Sequence, residues 1–272
     1  MSKSYGQSSY KACGYVGKTV SWCQSDDEHR FEQNMADPKQ RKRLENNGWT
    51  RDSITYTFNK DGFRSEEFTY EPSDSVLFLG CSHTVGIGMR LEDTWAYKVA
   101  TTLGLRRYNL GVGSSSADTC FRLAYHWIPR LRPKYVVMLT PDASRKEVVL
   151  GDAEIANCMP NMAHCPAELS EFFYNNWLLH PANADMNRLK NVMGVQTICN
   201  SIGVPLVEMP VEKCYGGRDS KESWIRDLIQ PDRVKANIGR DLMHPGSSWH
   251  DGVADRVLDE IDKNLQNINL GA

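Results

Sequence analysis

Two short apolar runs constrain this chain most: Val76-Leu77-Phe78-Leu79-Gly80 and Tyr135-Val136-Val137-Met138-Leu139. Each has the length of a strand, and neither alternates with polar residues. Such runs belong in a sheet buried on both faces, as parallel sheets are. Arg107 to Leu110 and Val204 to Met209 read as two further strands. Helical patterns lie between and after them. Asp93-Thr94 opens one that carries Trp95, Val99 and Leu103 and stops at Gly104. A second spans Ala117 to Leu131, and a closing amphipathic helix runs from Ser248 to Leu265 through Val253, Val257, Leu258 and Ile261. Strands alternating with helices predict an α/β fold with a parallel sheet covered on both faces.

The 272 residues suffice for one large α/β domain with an extension. Residues 1–72 show little apolar periodicity, with scattered aromatics such as Trp22, Trp49, Tyr56 and Phe68. They read as an N-terminal extension packing on a main domain of residues 73–272, which starts at Pro72-Ser73-Asp74. Within 1–72, Ile54 to Phe58 alternates like a strand before a turn at Asn59-Lys60-Asp61-Gly62. The strand–helix alternation breaks at about 144–189, which reads as an insertion holding an aromatic helix over Glu168 to His180.

The net charge is −2, so no broad nucleic-acid surface is expected, and Lys39 to Arg43 reads as a solvated helix face. No apolar run approaches the ~18 residues a membrane span needs. The first residues lack the apolar core of a secretory signal, so the expected location is the cytoplasm, or a virion if the chain is phage-encoded. The eight cysteines are not closely paired and read as isolated thiols. Cys158, His164 and Cys165 match no tight zinc spacing, and neither metal nor cofactor is expected.

Ligands of parallel sheets bind beyond the carboxyl ends of the strands. Ser82, the Gly111–Ser116 turn and the Thr140–Arg145 segment all fall there. Ser82 follows the first strand in Gly80-Cys81-Ser82-His83-Thr84-Val85-Gly86. Near the other end, Asp241-Leu242-Met243-His244 places a carboxylate three residues before a histidine. A serine hydroxyl needs an imidazole to take its proton and a carboxylate to orient that imidazole, and the chain supplies all three in the order Ser, Asp, His. Thr84 stands where a Gly-x-Ser-x-Gly elbow would have its second glycine, which disfavours an ordinary α/β-hydrolase.

These runs resemble the SGNH (GDSL-type) hydrolase family over roughly residues 74 to 265. Gly80-Cys81-Ser82 with Gly86 stands for the family's Gly-Asp-Ser block, with Cys81 in place of Asp. Asn109-Leu110-Gly111-Val112-Gly113-Ser114 stands for the second block, and Asp241 to His244 matches the last in full. The third block, Gly-x-Asn-Asp, is replaced by Thr140-Pro141-Asp142-Ala143-Ser144-Arg145, so the asparagine that would donate to an oxyanion is missing. The resemblance implies a flavodoxin-like three-layer sandwich with a parallel sheet of about five strands. It implies Ser82 as nucleophile, His244 as base and Asp241 as its partner, with Gly113 and Ser114 at the oxyanion position. Ser144, Arg145 and His83 are candidate donors or substrate contacts.

The function so implied is a serine esterase. The polar loops at the sheet's carboxyl edge, without the long apolar lining that a lipase for long chains would want, point to small acyl esters, O-acetyl groups on carbohydrate among them, with the ester or acylated carbohydrate as its partner. The alternatives are acyl transfer with the same triad, and an inactive SGNH-type module binding glycan or protein, such as a phage structural or assembly component. On that last reading Ser82 is a turn serine, Asp241 a helix-entry cap and His244 a surface histidine.

Overall fold

The computed structural model describes residues 15–70, 74–149, 155–159, 167–178, 180–215 and 237–270. In chain order the elements are β1 (Thr19–Val20), α1 (Glu28–Ala36), α2 (Pro38–Asn46), β2 (Tyr56–Thr57), β3 (Ser75–Leu79), α3 (Ser82–Val85), α4 (Trp95–Leu103), β4 (Arg106–Asn109), α5 (Ala117–Leu131), β5 (Tyr135–Thr140), β6 (Lys146–Val149), β7 (Ile155–Cys158), α6 (Ala167–Phe173), α7 (Pro181–Ser201), β8 (Leu206–Pro210) and α8 (Ser247–Leu270). The start expected at Pro72-Ser73 lies outside the described residues, as do His164 and Cys165. No described helix is long and apolar enough to cross a membrane.

The described residues form two compact units. The first holds 15–17, Phe58–Val85 and Leu105–Pro210. At its centre is a parallel sheet in the order β4-β3-β5-β8. Phe78 pairs with Asn109 on one side and Val137 on the other, and Leu139 pairs with Met209. Among the described residues the sheet has four strands, where about five were expected. Every residue of β3 and β5 is buried, as uninterrupted apolar strands require. Leu77, Leu79, Tyr108, Val136 and Met138 pack against α5 (Leu123, Trp127, Ile128) and α7 (Val195, Cys199). Phe63 and Phe68, ahead of the sheet in sequence, join that core, with Phe68 4.9 Å from the Trp127 ring centroid. The connection passes from β3 to β4 on one side, then back across β3 to β5. That reversal makes the carboxyl ends of β3 and β5 the switch point where such sheets bind ligands.

The interrupted stretch contains an antiparallel pair, β6 and β7, that apolar patterning does not predict. A buried ion pair holds it: Arg122 of α5 donates from Nε and Nη2 to the two carboxylate oxygens of Glu147 at 2.6 and 2.9 Å. The aromatic helix is shorter than its sequence pattern. It leaves α geometry after Phe173 for a π turn over Tyr174–Leu178.

The second unit holds Lys18–Thr57, Gly86–Gly104 and the described residues from Val211 on. Thr19 and Val20 pair antiparallel with Thr57 and Tyr56. Asp37 caps α2, accepting from Lys39 N and Gln40 N. Helices α4 and α8 pack together, with Trp95 N donating to His250 Nδ1 at 3.3 Å and Lys98 paired with Asp251. His250 is thereby a buried structural histidine.

Candidate active site

Ser82 is the first residue of α3, one short turn beyond β3, and keeps 7% of its surface exposed. Two glycines make its position possible. At Gly80 the backbone has φ +153°, and a Cβ would meet Thr84 Oγ1 at 2.2 Å and Leu139 O at 2.8 Å. At Gly111 a Cβ would meet Val85 N at 2.7 Å. Backbone of the neighbouring strands thus presses directly on the turn that carries Ser82. Thr84 N and Val85 N both donate to Cys81 O, at 2.9 and 3.1 Å.

The segment after β4 clamps the same turn. Asn109 donates from Nδ2 to Thr84 O at 2.7 Å and accepts from Gly111 N at 2.9 Å. Val112 N and the Ser115 hydroxyl both donate to Gly80 O, at 2.9 and 3.1 Å. Ser114 has φ +60°, the left-handed conformation that glycine adopts without strain. The sequence therefore has serine where the backbone is glycine-like. Gly113 beside it is buried. His83 sets Nδ1 3.2 Å from Cys81 Sγ. Asp118 lies in the first turn of α5, whose cap residue is Ser116. Its carboxylate accepts from the Ser116 hydroxyl, Asn187, Asn191 and the backbone N–H of Glu147.

Beyond β5, Asp142 Oδ1 accepts from Ser144 N at 2.8 Å and from the Ser144 hydroxyl. That hydroxyl hydrogen is thereby directed at Asp142. Arg145 N donates to Asp142 O at 3.1 Å, while its Nη1 is buried without a hydrogen-bond partner among the described residues.

Asp241 and His244 belong to the second unit. The His244 ring nitrogen Nδ1 lies 2.6 Å from Asp241 Oδ2. The other carboxylate oxygen, Oδ1, accepts from Met243 N and His244 N, both at 3.0 Å, which closes the turn between the two residues. Ser25 donates its hydroxyl to Oδ2 at 2.7 Å. The carboxylate therefore accepts four hydrogen bonds, about as many as its lone pairs allow. Burial alone raises the Asp241 carboxyl. The His244 charge, the hydrogen bonds from its ring and backbone, and the Ser25 hydroxyl outweigh burial and hold it well below the usual carboxylate range. An ionised carboxylate only accepts, so Nδ1 carries the hydrogen and the basic lone pair resides on Nε2.

The loop before His244 is braced from residues that carry no motif. Arg240, fully buried, donates to Asp26 from Nε at 2.9 Å and Nη2 at 2.7 Å, and to Arg51 O and Ser21 O at 2.6 Å each. Its guanidinium lies 3.9 Å from the Trp22 ring centroid. Burial raises the Asp26 carboxyl, an effect the Arg240 guanidinium and the Tyr56 hydroxyl only partly offset. Tyr56 donates to Asp26 Oδ2 at 2.5 Å and accepts from Gly88 N at 2.8 Å. Gly88 has φ +76°, and a Cβ there would lie 3.0 Å from Asp241 Oδ1. Ser25, Asp26 and Arg240 escape sequence reading because their partners are remote in sequence. The one local signal is the acidic pair Asp26-Asp27.

No family model and no curated protein matches the chain. Among solved structures it is similar to the psychrotrophic esterase EstA of Pseudoalteromonas sp., in a structure inhibited by monoethylphosphonate. Identity is 13%, coverage 71% of this chain and 99% of that one, and the TM-score 0.35. It is also similar to a GDSL-like lipase of Bacteroides thetaiotaomicron, at 13% identity, 84% and 98% coverage and a TM-score of 0.31. Likenesses this distant do not carry a function across, and the chemistry must come from the residues of this chain.

Proposed function

We propose that the chain is an SGNH-type serine esterase acting on small acyl esters. Ser82 is the nucleophile, His244 the general base and Asp241 the group that orients it. The observation that carries this reading is the Asp241–His244 pair, whose 2.6 Å bond commits Nδ1 to the carboxylate and so puts the basic lone pair on Nε2. The position of Ser82 on a tight turn at the switch point of a parallel sheet supports it.

In the first step His244 Nε2 takes the Ser82 proton as Oγ bonds to the ester carbonyl carbon. The backbone N–H groups of Ser82 and Ser114, with Gly113 shaping the turn, hold the oxyanion. The bond to the alcohol breaks as the proton passes to the leaving oxygen. Water then attacks the acyl-serine, His244 accepting its proton and returning it to Ser82 as the acid departs.

The small residual exposure of Ser82 favours a short acyl group. The buried Nη1 of Arg145, which lacks a protein partner among the described residues, suits a hydroxyl or carboxylate of the alcohol part. O-acetylated carbohydrate is therefore the substrate class favoured here.

The deciding experiment compares hydrolysis of p-nitrophenyl acetate, butyrate and octanoate by the wild type and by Ser82→Ala. Activity on acetate that disappears in the variant is expected. A folded wild type no more active than the variant on any ester would overturn the esterase reading in favour of a binding module, a phage assembly component being one form.

A further inference from the structure

We infer that Ser25 is a positioning residue for His244, built into the site by the N-terminal segment. The inference rests on the esterase reading above. Two consecutive residues, Ser25 and Asp26, bind two consecutive residues, Asp241 and Arg240. Ser25 takes Asp241 at 2.7 Å, and Asp26 takes Arg240 at 2.7–3.2 Å. The double pairing fixes the register of one loop against the other.

The turn that presents Ser25 is closed by two backbone hydrogen bonds. Cys23 N donates to Asp26 O at 2.8 Å and Asp26 N to Cys23 O at 3.1 Å, with Gln24 between them at φ +56°. Asp26 is buried within the ion pair to Arg240, so the turn is anchored at its far end. Ser25 cannot drift from Asp241 without disturbing that pair.

The geometry at the carboxylate defines the role. Ser25 Oγ and His244 Nδ1 converge on the same oxygen, Oδ2, while Oδ1 is taken by backbone N–H groups. Ser25 Oγ lies 3.5 Å from Nδ1, at the limit of bonding, against 2.6 Å from Nδ1 to Oδ2. The hydroxyl therefore acts on the carboxylate rather than the ring. It supplies the fourth hydrogen bond and stops the carboxyl plane from swinging, which keeps the imidazole in one orientation.

The test uses Ser25→Ala and Ser25→Thr in the full chain, read in two ways. The first readout is p-nitrophenyl acetate hydrolysis. A hydrogen bond to a charged group is worth enough that Ser25→Ala should lower kcat about ten-fold. KM should stay unchanged, and Ser25→Thr, which keeps the hydroxyl, should restore kcat. The second readout needs no turnover: the downfield proton resonance of His244 Nδ1–H should shift or broaden in Ser25→Ala and return in Ser25→Thr. Should Ser25→Ala fail to fold, Ser25→Cys replaces it in both arms with the same expectation. Unchanged kcat together with an unchanged resonance in an active enzyme overturns the inference and leaves the esterase reading standing. An inactive wild type overturns the esterase reading instead, and the resonance then decides alone: a shift upholds Ser25 as the group that holds the pair, and no shift removes it.

Discussion

Asn109 ties the turn after β3 to the turn after β4, donating to Thr84 O at 2.7 Å while its side-chain carbonyl accepts from Gly111 N at 2.9 Å. Both partners are backbone groups in buried surroundings. Asn109→Ala leaves a carbonyl and an N–H unsatisfied, at about 1–3 kcal/mol each before relaxation. The variant should lose about 2–4 kcal/mol in urea unfolding and lose ester hydrolysis as the Ser82 turn loosens. An Asn109→Ala protein of wild-type stability would mean water replaces the side chain.

Ser114 offers the opposite expectation. Its φ of +60° suits glycine, and the proposed chemistry uses its N–H rather than its hydroxyl. Ser114→Gly should change stability by no more than about 0.5 kcal/mol, the relief of strain offsetting the added freedom of the unfolded chain. Both Ser114→Gly and Ser114→Ala should keep kcat near wild type. A large fall in kcat in both variants would assign the oxyanion contact to the hydroxyl.

The Asp26–Arg240 pair is buried on both sides. Asp26→Ala strands a guanidinium in the interior and should cost about 3–5 kcal/mol in denaturant unfolding. Tyr56→Phe, which removes one donor to Asp26 and one acceptor from Gly88 N, should cost less, about 1–3 kcal/mol. A smaller loss for Asp26→Ala than for Tyr56→Phe would show that solvent reaches Arg240.

Asp241 sets a pH dependence. Its carboxyl lies below the usual range, so its contribution to stability is fully present above the unfolded-state value of about 3.9. That contribution is lost as pH falls through the lower folded value. The Asp241 carboxyl carbon should show no NMR titration between pH 7 and about 4, and the stabilisation should fade only in more acid solution. Titration at 4 or above would contradict the four-bond account of this carboxylate.

How far the sequence discloses this structure depends on the reach of each interaction. Strands β3 and β5 are readable because burial on both faces demands unbroken apolar residues. Asp241 and His244 are readable as a pair because three residues of a turn bring them together. The β6–β7 pair is not, since Lys146 and Glu147 look like surface residues until Arg122, from a different element, buries Glu147. The aromatic helix ends early where Asn175 and Asn176, poor helix formers, enter, and Asn176 donates back to Phe172 O. The fully buried Arg240 gives no local cue at all.

The bond from Ser25 to Asp241 spans 216 positions of chain. On a ribosome that contact must wait until Asp241 has been made, whereas the sheet strands β3, β4 and β5 are complete far sooner. The nascent chain can therefore carry a shaped Ser82 turn before it carries a braced histidine. A contact of such long range also places this step among the slow, entropy-limited events of folding. Refolding should consequently recover sheet signals before it recovers any reaction that depends on His244.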